Sequence, residues 1–188
     1  MAKLDDRLKD AITRLPVKEK DKLLFRLVAK DDKLIRKLEF ELLEGGNTRD
    51  DRAQDLRADI LKYLSKTGEG YLTPGILLME LRHWNARIVE HVQATKDKEG
   101  EVALPLFLLN EALRRHRDMV LHFPEHRSTT LAEYLIKRIQ ALMPKTKKLH
   151  EDLQWESRKH INELLEHIWT IPRPAKLAEQ VGLPKRWE

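Results

Sequence analysis

Cysteine is absent from the 188 residues. That excludes disulfides, thiolate metal sites and a cysteine nucleophile. Long apolar runs are missing too. The longest, Val102 to Leu109, is eight residues and contains Pro105, against the ~20 needed to span a bilayer. The opening stretch MAKLDDRLKD carries acids where a secretion signal has an apolar run. The expectation is a cytoplasmic protein with no membrane partner. No segment alternates apolar and polar residues over a useful length, so strands are not expected. Catalytic templates are also missing. There is no Gly-rich phosphate loop, no G-x-S-x-G and no H-E-x-x-H. Ser65, Ser128 and Ser157 have no neighbour that would activate them.

A strong excess of one charge is lacking as well. Lys and Arg number 36 against 31 acids, a net +5. Residues 1–94 hold 19 basic and 17 acidic side chains, and residues 95–188 hold 17 and 14. Nucleic-acid binders more often segregate their charge, so this balance points to solubility and weak anion attraction.

What is present is helical periodicity. Charged residues make up 36%, above the usual ~25%, as expected for many helices with one wet face each. Leu4, Leu8, Ile12 and Leu15 recur at helical spacing. Pro16 suits the first turn of a second helix with the stripe Leu23, Leu24, Leu27 and Val28. Asp31 is placed to cap a third, whose inward side chains are Leu34, Ile35, Leu38, Leu42 and Leu43, stopped by Gly45 and Gly46. These first helices read as scaffold, leucines buried and charges wet.

A fourth helix uses Leu56, Ile60, Leu61 and Leu64 and is closed by Gly68. Thr73-Pro74 opens a fifth, running to about Lys96. After a polar link from Asp97 to Glu101, Pro105 opens a sixth. The stretch LFLLNEALRRH is apolar nearly all round at its start, which predicts a central helix. Thr130 and Glu133 form a capping box for a seventh helix, ended by Pro144. An eighth spans roughly Leu149 to Trp169. The expectation is one all-α domain over residues 1–170, about eight antiparallel helices, in a helical-hairpin array or an irregular bundle. Residues 171–188 form a C-terminal tail folded back on the body, with Trp187 docked.

Three groups carry candidate chemistry. His160, Glu163 and His167 share a face of the eighth helix. Glu80 and His83 form an E-x-x-H pair on the fifth, with Arg87 and His91 further along. Together these five are the candidate metal ligands, although the full carboxylate-histidine set of a di-metal bundle is not there. Lys137, Arg138, Lys145, Lys147 and Lys148 form a basic helix end that suits phosphates. Arg114 to Arg117 is a second basic group. The segment AKLAEQVGLPKRW looks like the first half of a helix-turn-helix, without a recognition helix after Gly182. Trp84 reads as core, and Trp155 and Trp169 as packed aromatics.

The leading expectation is a soluble helical scaffold or interaction module, without catalytic activity or cofactor, that binds a protein partner. One alternative is nucleic-acid binding through the basic helix end. Another is a metal-dependent enzyme with a His/Glu site between two helices.

Overall fold

A computed structural model describes residues 4–66 and 72–188. The fold is an all-α helical bundle, with nine α-helices and no strand among the described residues. They are α1 (Asp6–Arg14), α2 (Val17–Val28), α3 (Asp32–Leu38), α4 (Arg49–Lys66), α5 (Pro74–Thr95), α6 (Gly100–His122), α7 (Thr129–Thr146), α8 (Glu151–Thr170) and α9 (Pro172–Gln180). No described helix is long and apolar enough to cross a membrane.

Local signals set several boundaries as expected. Asp31 accepts from the backbone N–H of Lys33 and Leu34. Thr73 accepts from that of Ile76, with Pro74 starting α5. Gly45 and Gly46, at φ 64° and 72°, take the left-handed turn that ends the α3 segment. The stop expected at Gly68 lies outside the described residues.

The core forms around α6, which packs against α4, α5, α7 and α8. Leu104, Leu106, Leu108, Leu109 and Leu113 are essentially sealed from water. A helix with apolar residues on most of its circumference needs neighbours on most sides. This central placement fits an irregular bundle, not a stacked array.

Four boundaries differ from the sequence reading. First, α6 begins at Gly100, not Pro105. Asp97 accepts from Gly100 N–H at 2.8 Å and starts the helix early, and buried Val102 and Leu104 hold those turns in the core. Second, Pro144 lies inside α7, which continues to buried Thr146, whose hydroxyl donates to Leu142 O. Third, Thr130 and Glu133 make no capping box. A 3-10 turn, Glu125–Ser128, leads directly into α7, which has no side-chain cap. Fourth, the C-terminal stretch contains α9, packed on α7 and α8.

The largest departure is at the N-terminus. Neither α1 nor α2 buries a single residue, and the bundle's apolar core begins only at Ala53. Leu4, Leu8, Leu24, Phe25 and Leu27 are exposed, Phe25 at 68%. Leu42 and Leu43, expected inward, are 73% and 81% exposed. The cause at those two is a π-helical turn, Glu39–Leu43. Its wider i→i+5 winding advances fewer degrees per residue, so Phe40 takes the buried position instead. Arg52 covers the Phe40 ring at 5.5 Å and binds Glu44, its Nε at 2.8 Å.

Candidate functional site

The described residues form an open cleft of about 930 Å³ beside α8. One wall is α8 itself, carrying Trp155, Arg158, Lys159, His160, Glu163 and Glu166. Glu111 and Arg114 of α6 form the second wall, and Lys185 and Arg186 the third.

Contacts beyond α9 bring those last two residues there. Gly182, at φ 63°, turns the chain, and Leu183 is buried. Trp169 Nε1 donates to Pro184 O at 3.2 Å. Asn162 clasps Trp187 twice: its Oδ1 accepts from the Trp187 N–H at 2.7 Å, and its Nδ2 donates to the Trp187 carbonyl at 3.1 Å. Trp187 is half-buried. Lys185 then lies over the Trp169 ring at 5.2 Å.

The charges of the cleft divide clearly. Glu111 is held by Arg114 and Arg115. Glu163 lies 3.6 Å from His160 Nδ1, an ion-pair distance and too long for a hydrogen bond. Arg158, Lys159 and Arg186 have no ion-pair partner among the described residues. Trp155 is 74% exposed, and so is not the packed aromatic that the sequence suggested. A signal for this was present: Glu151, Asp152, Arg158 and Lys159, its neighbours at helical spacing, are all charged.

The five candidate metal ligands do not converge. Helix α6 packs on both α5 and α8, which make at most glancing contact with each other. Glu80 accepts a hydrogen bond from the Tyr63 hydroxyl, which is pushed up to about 12 by burial and by that bond. His83 meets Trp84 edge-on at 5.6 Å. His160 is exposed in the cleft. His167 is half-buried, and its Nε2 has no hydrogen-bond partner among the described residues. Burial holds His167 below the ordinary imidazole range, while Glu163 and Glu166 pull the other way. No group of three or more His, Asp or Glu among the described residues is arranged to hold a metal.

The basic end of α7 is also dispersed. Arg138 donates to Asn85 of α5, and Lys145 pairs with Glu101 at 2.5 Å. That leaves exposed Lys137 and, some ten residues on, Lys147 and Lys148. In the second basic group, Arg114 and Arg115 hold Glu111, and His116 is buried.

A buried pair escaped the sequence reading. His91 Nε2 lies 3.2 Å from Asp97 Oδ2, and both side chains are buried. Burial pushes the Asp97 carboxyl up, but the His91 ring and the Gly100 N–H outweigh it and hold the group below its usual range. His91 borders a cleft lined by Arg36, Arg52, Arg87 and five apolar or acidic neighbours, and Asp97 borders the next. The pair ties the end of α5 to the start of α6. An Asp three residues before Gly100 at a helix start was the available signal.

No family model, curated protein or solved structure matches this chain. The chemistry of its own surfaces is what bears on function.

Proposed function

We propose that this chain is a non-catalytic helical interaction module that docks a protein partner on α2 and its surroundings. The observation that carries this reading is the uncovered apolar surface of Leu24, Phe25 and Leu27. These three belong to a helix with no buried residue of its own. Covering side chains of this size contributes about 1.5–3 kcal/mol each. Large apolar side chains left open to water, where contiguous, mark interaction sites in soluble proteins.

The partner is an amphipathic helix whose apolar face is bordered by acids. Charge complementarity supports that choice. Helix α2 carries four cations, Lys18, Lys20, Lys22 and Arg26, against two acids, Glu19 and Asp21. Helix-in-groove recognition needs an apolar stripe met by an apolar stripe, with charges of opposite sign at the rim.

The test uses two fluorescent leucine-striped helical peptides, one bordered by Glu and one by Lys. The Glu-bordered peptide is expected to bind the wild-type protein. The Leu24→Asp/Leu27→Asp double variant is expected to lose at least tenfold in affinity with an unchanged Tm. Equal binding to both proteins, or no binding of the Glu-bordered peptide, overturns the reading. Sedimentation covers the other occupant: a wild-type dimer that becomes monomeric in the variant assigns the face to a second copy, which also overturns it.

A further inference from the structure

We propose that the cleft between α6, α8 and the C-terminal segment binds an aromatic base joined to a phosphate, as in a nucleotide or a single-stranded nucleic acid. Three observations carry this, and none involves α2. Trp155 presents its indole to solvent at 74% exposure, with no apolar neighbour at helical spacing to pack on. Three cations around it, Arg158, Lys159 and Arg186, are uncommitted among the described residues. The cleft itself, about 930 Å³, falls within the size range of small-molecule sites.

The combination selects the ligand. A flat indole face offers stacking to any base and discriminates little between them. A phosphate attached to that base meets the free ammonium and guanidinium groups, which attract it and make binding salt-dependent. Arg158 and Lys159 follow Trp155 by three and four residues, so they stand on its side of α8. Arg186 approaches from the C-terminal segment, which Asn162 fixes in place. The carboxylates complete the pattern. Glu111 is neutralised by two arginines, while Glu163 and Glu166 lie further along α8. Carboxylates repel phosphate and accept hydrogen bonds from N–H groups on a base edge, an amino group or a ring N–H. The phosphate therefore belongs at the Trp155 end, and the base edge points toward Glu163.

The basic end of α7 offers charge without an aromatic, and two of its five members are engaged. The α8 cleft has both chemistries in one place.

The test measures anisotropy of a labelled 15-nucleotide oligothymidine and of a labelled adenosine monophosphate at three salt concentrations. Oligothymidine binding that weakens with salt, with the mononucleotide bound feebly, assigns single-stranded nucleic acid. Tight mononucleotide binding assigns a free nucleotide. In either case Trp155→Ala is expected to weaken binding about 5- to 100-fold, and Trp155→Phe to restore most of it. Lys159→Ala is expected to flatten the salt dependence. Circular dichroism should show both Trp155 variants folded. Absence of binding by both ligands at low salt overturns the proposal. So does wild-type affinity in Trp155→Ala, because charge alone would then account for binding. Leu24→Asp/Leu27→Asp should bind both ligands as wild type does, which separates this outcome from that of the partner-docking reading.

Discussion

The carboxylate of Asp97 joins two helices through opposite oxygens. Oδ2 faces His91 Nε2 of α5 at 3.2 Å, and Oδ1 accepts from the first N–H of α6 at 2.8 Å. Gly100 exists at that junction for a steric reason. A Cβ there would stand 2.1 Å from Asp97 Oδ2 and 2.7 Å from its Cγ. Gly100→Ala is therefore expected to lose about 1–3 kcal/mol by overpacking. Asp97→Ala is expected to lose a similar amount, from the missing cap and from a buried His91 left without its partner. The double variant should lose less than the sum, because removing the carboxylate removes the clash. Urea titration of the four proteins gives the coupling. A fully additive double variant would refute the link.

Asp97 also predicts an acid limb. Its folded pKa lies below the usual value, so its stabilising contribution is complete above the unfolded pKa of ~3.9 and fades as pH falls through the folded one. The deficit of Asp97→Asn should be full at pH 7 and shrink below pH ~4, as read by denaturant midpoints across pH.

Two histidines, buried His116 and half-buried His167, act at higher pH. Burial holds both His116 and His167 below the ordinary range, so the unfolded chain takes up their protons more readily. Stability should fall as pH drops through ~6.5 toward the depressed folded values. Neither Nε2 has a hydrogen-bond partner among the described residues. His116→Leu/His167→Leu is thus expected to stay within about 1 kcal/mol of wild type at pH 7.5 and to exceed it at pH 5. Parallel stability–pH curves for the two proteins would contradict this.

Lys96 ends α5 in the left-handed conformation, at φ 56°. That conformation costs a side-chain-bearing residue roughly 1–2 kcal/mol, partly offset by the flexibility a glycine adds to the unfolded chain. Lys96→Gly should raise stability by about 0.5 kcal/mol. A lower Tm would show that the Lys96 side chain contributes more than its backbone loses.

Two tryptophans should respond very unequally to truncation. Trp84 is buried between Tyr63, at 5.6 Å, and Arg87, at 5.1 Å. Trp84→Ala is expected to lose about 3–5 kcal/mol. Trp155→Ala is expected to change stability by no more than about 0.5 kcal/mol, as at an open surface. Thermal melts compare them directly.

Legibility differed along the chain for identifiable reasons. Asp31 and Thr73-Pro74 were readable because a cap bonds to N–H groups two or three residues away. The central place of α6 was readable from Leu106 to Leu109, since a helix without a wet side must be enclosed. The candidate site was readable only in fragments. His160 and Glu163 do line the α8 cleft, but Lys185 and Arg186 reach it through the Asn162–Trp187 clasp. That contact joins positions 25 residues apart. Glu80 and His83 are separated from α8 by the packing of α6.

Periodicity by itself determined that these segments coil, because side chains three and four residues apart share a helix face whatever surrounds them. It also determined which residues prefer to leave water. Only the tertiary structure decided which of them succeed. A leucine stripe is buried when another helix arrives to cover it, as on α6, and stays wet when none does, as on α2. That outcome depends on how the remaining chain fills space around each face, and local spacing does not encode it.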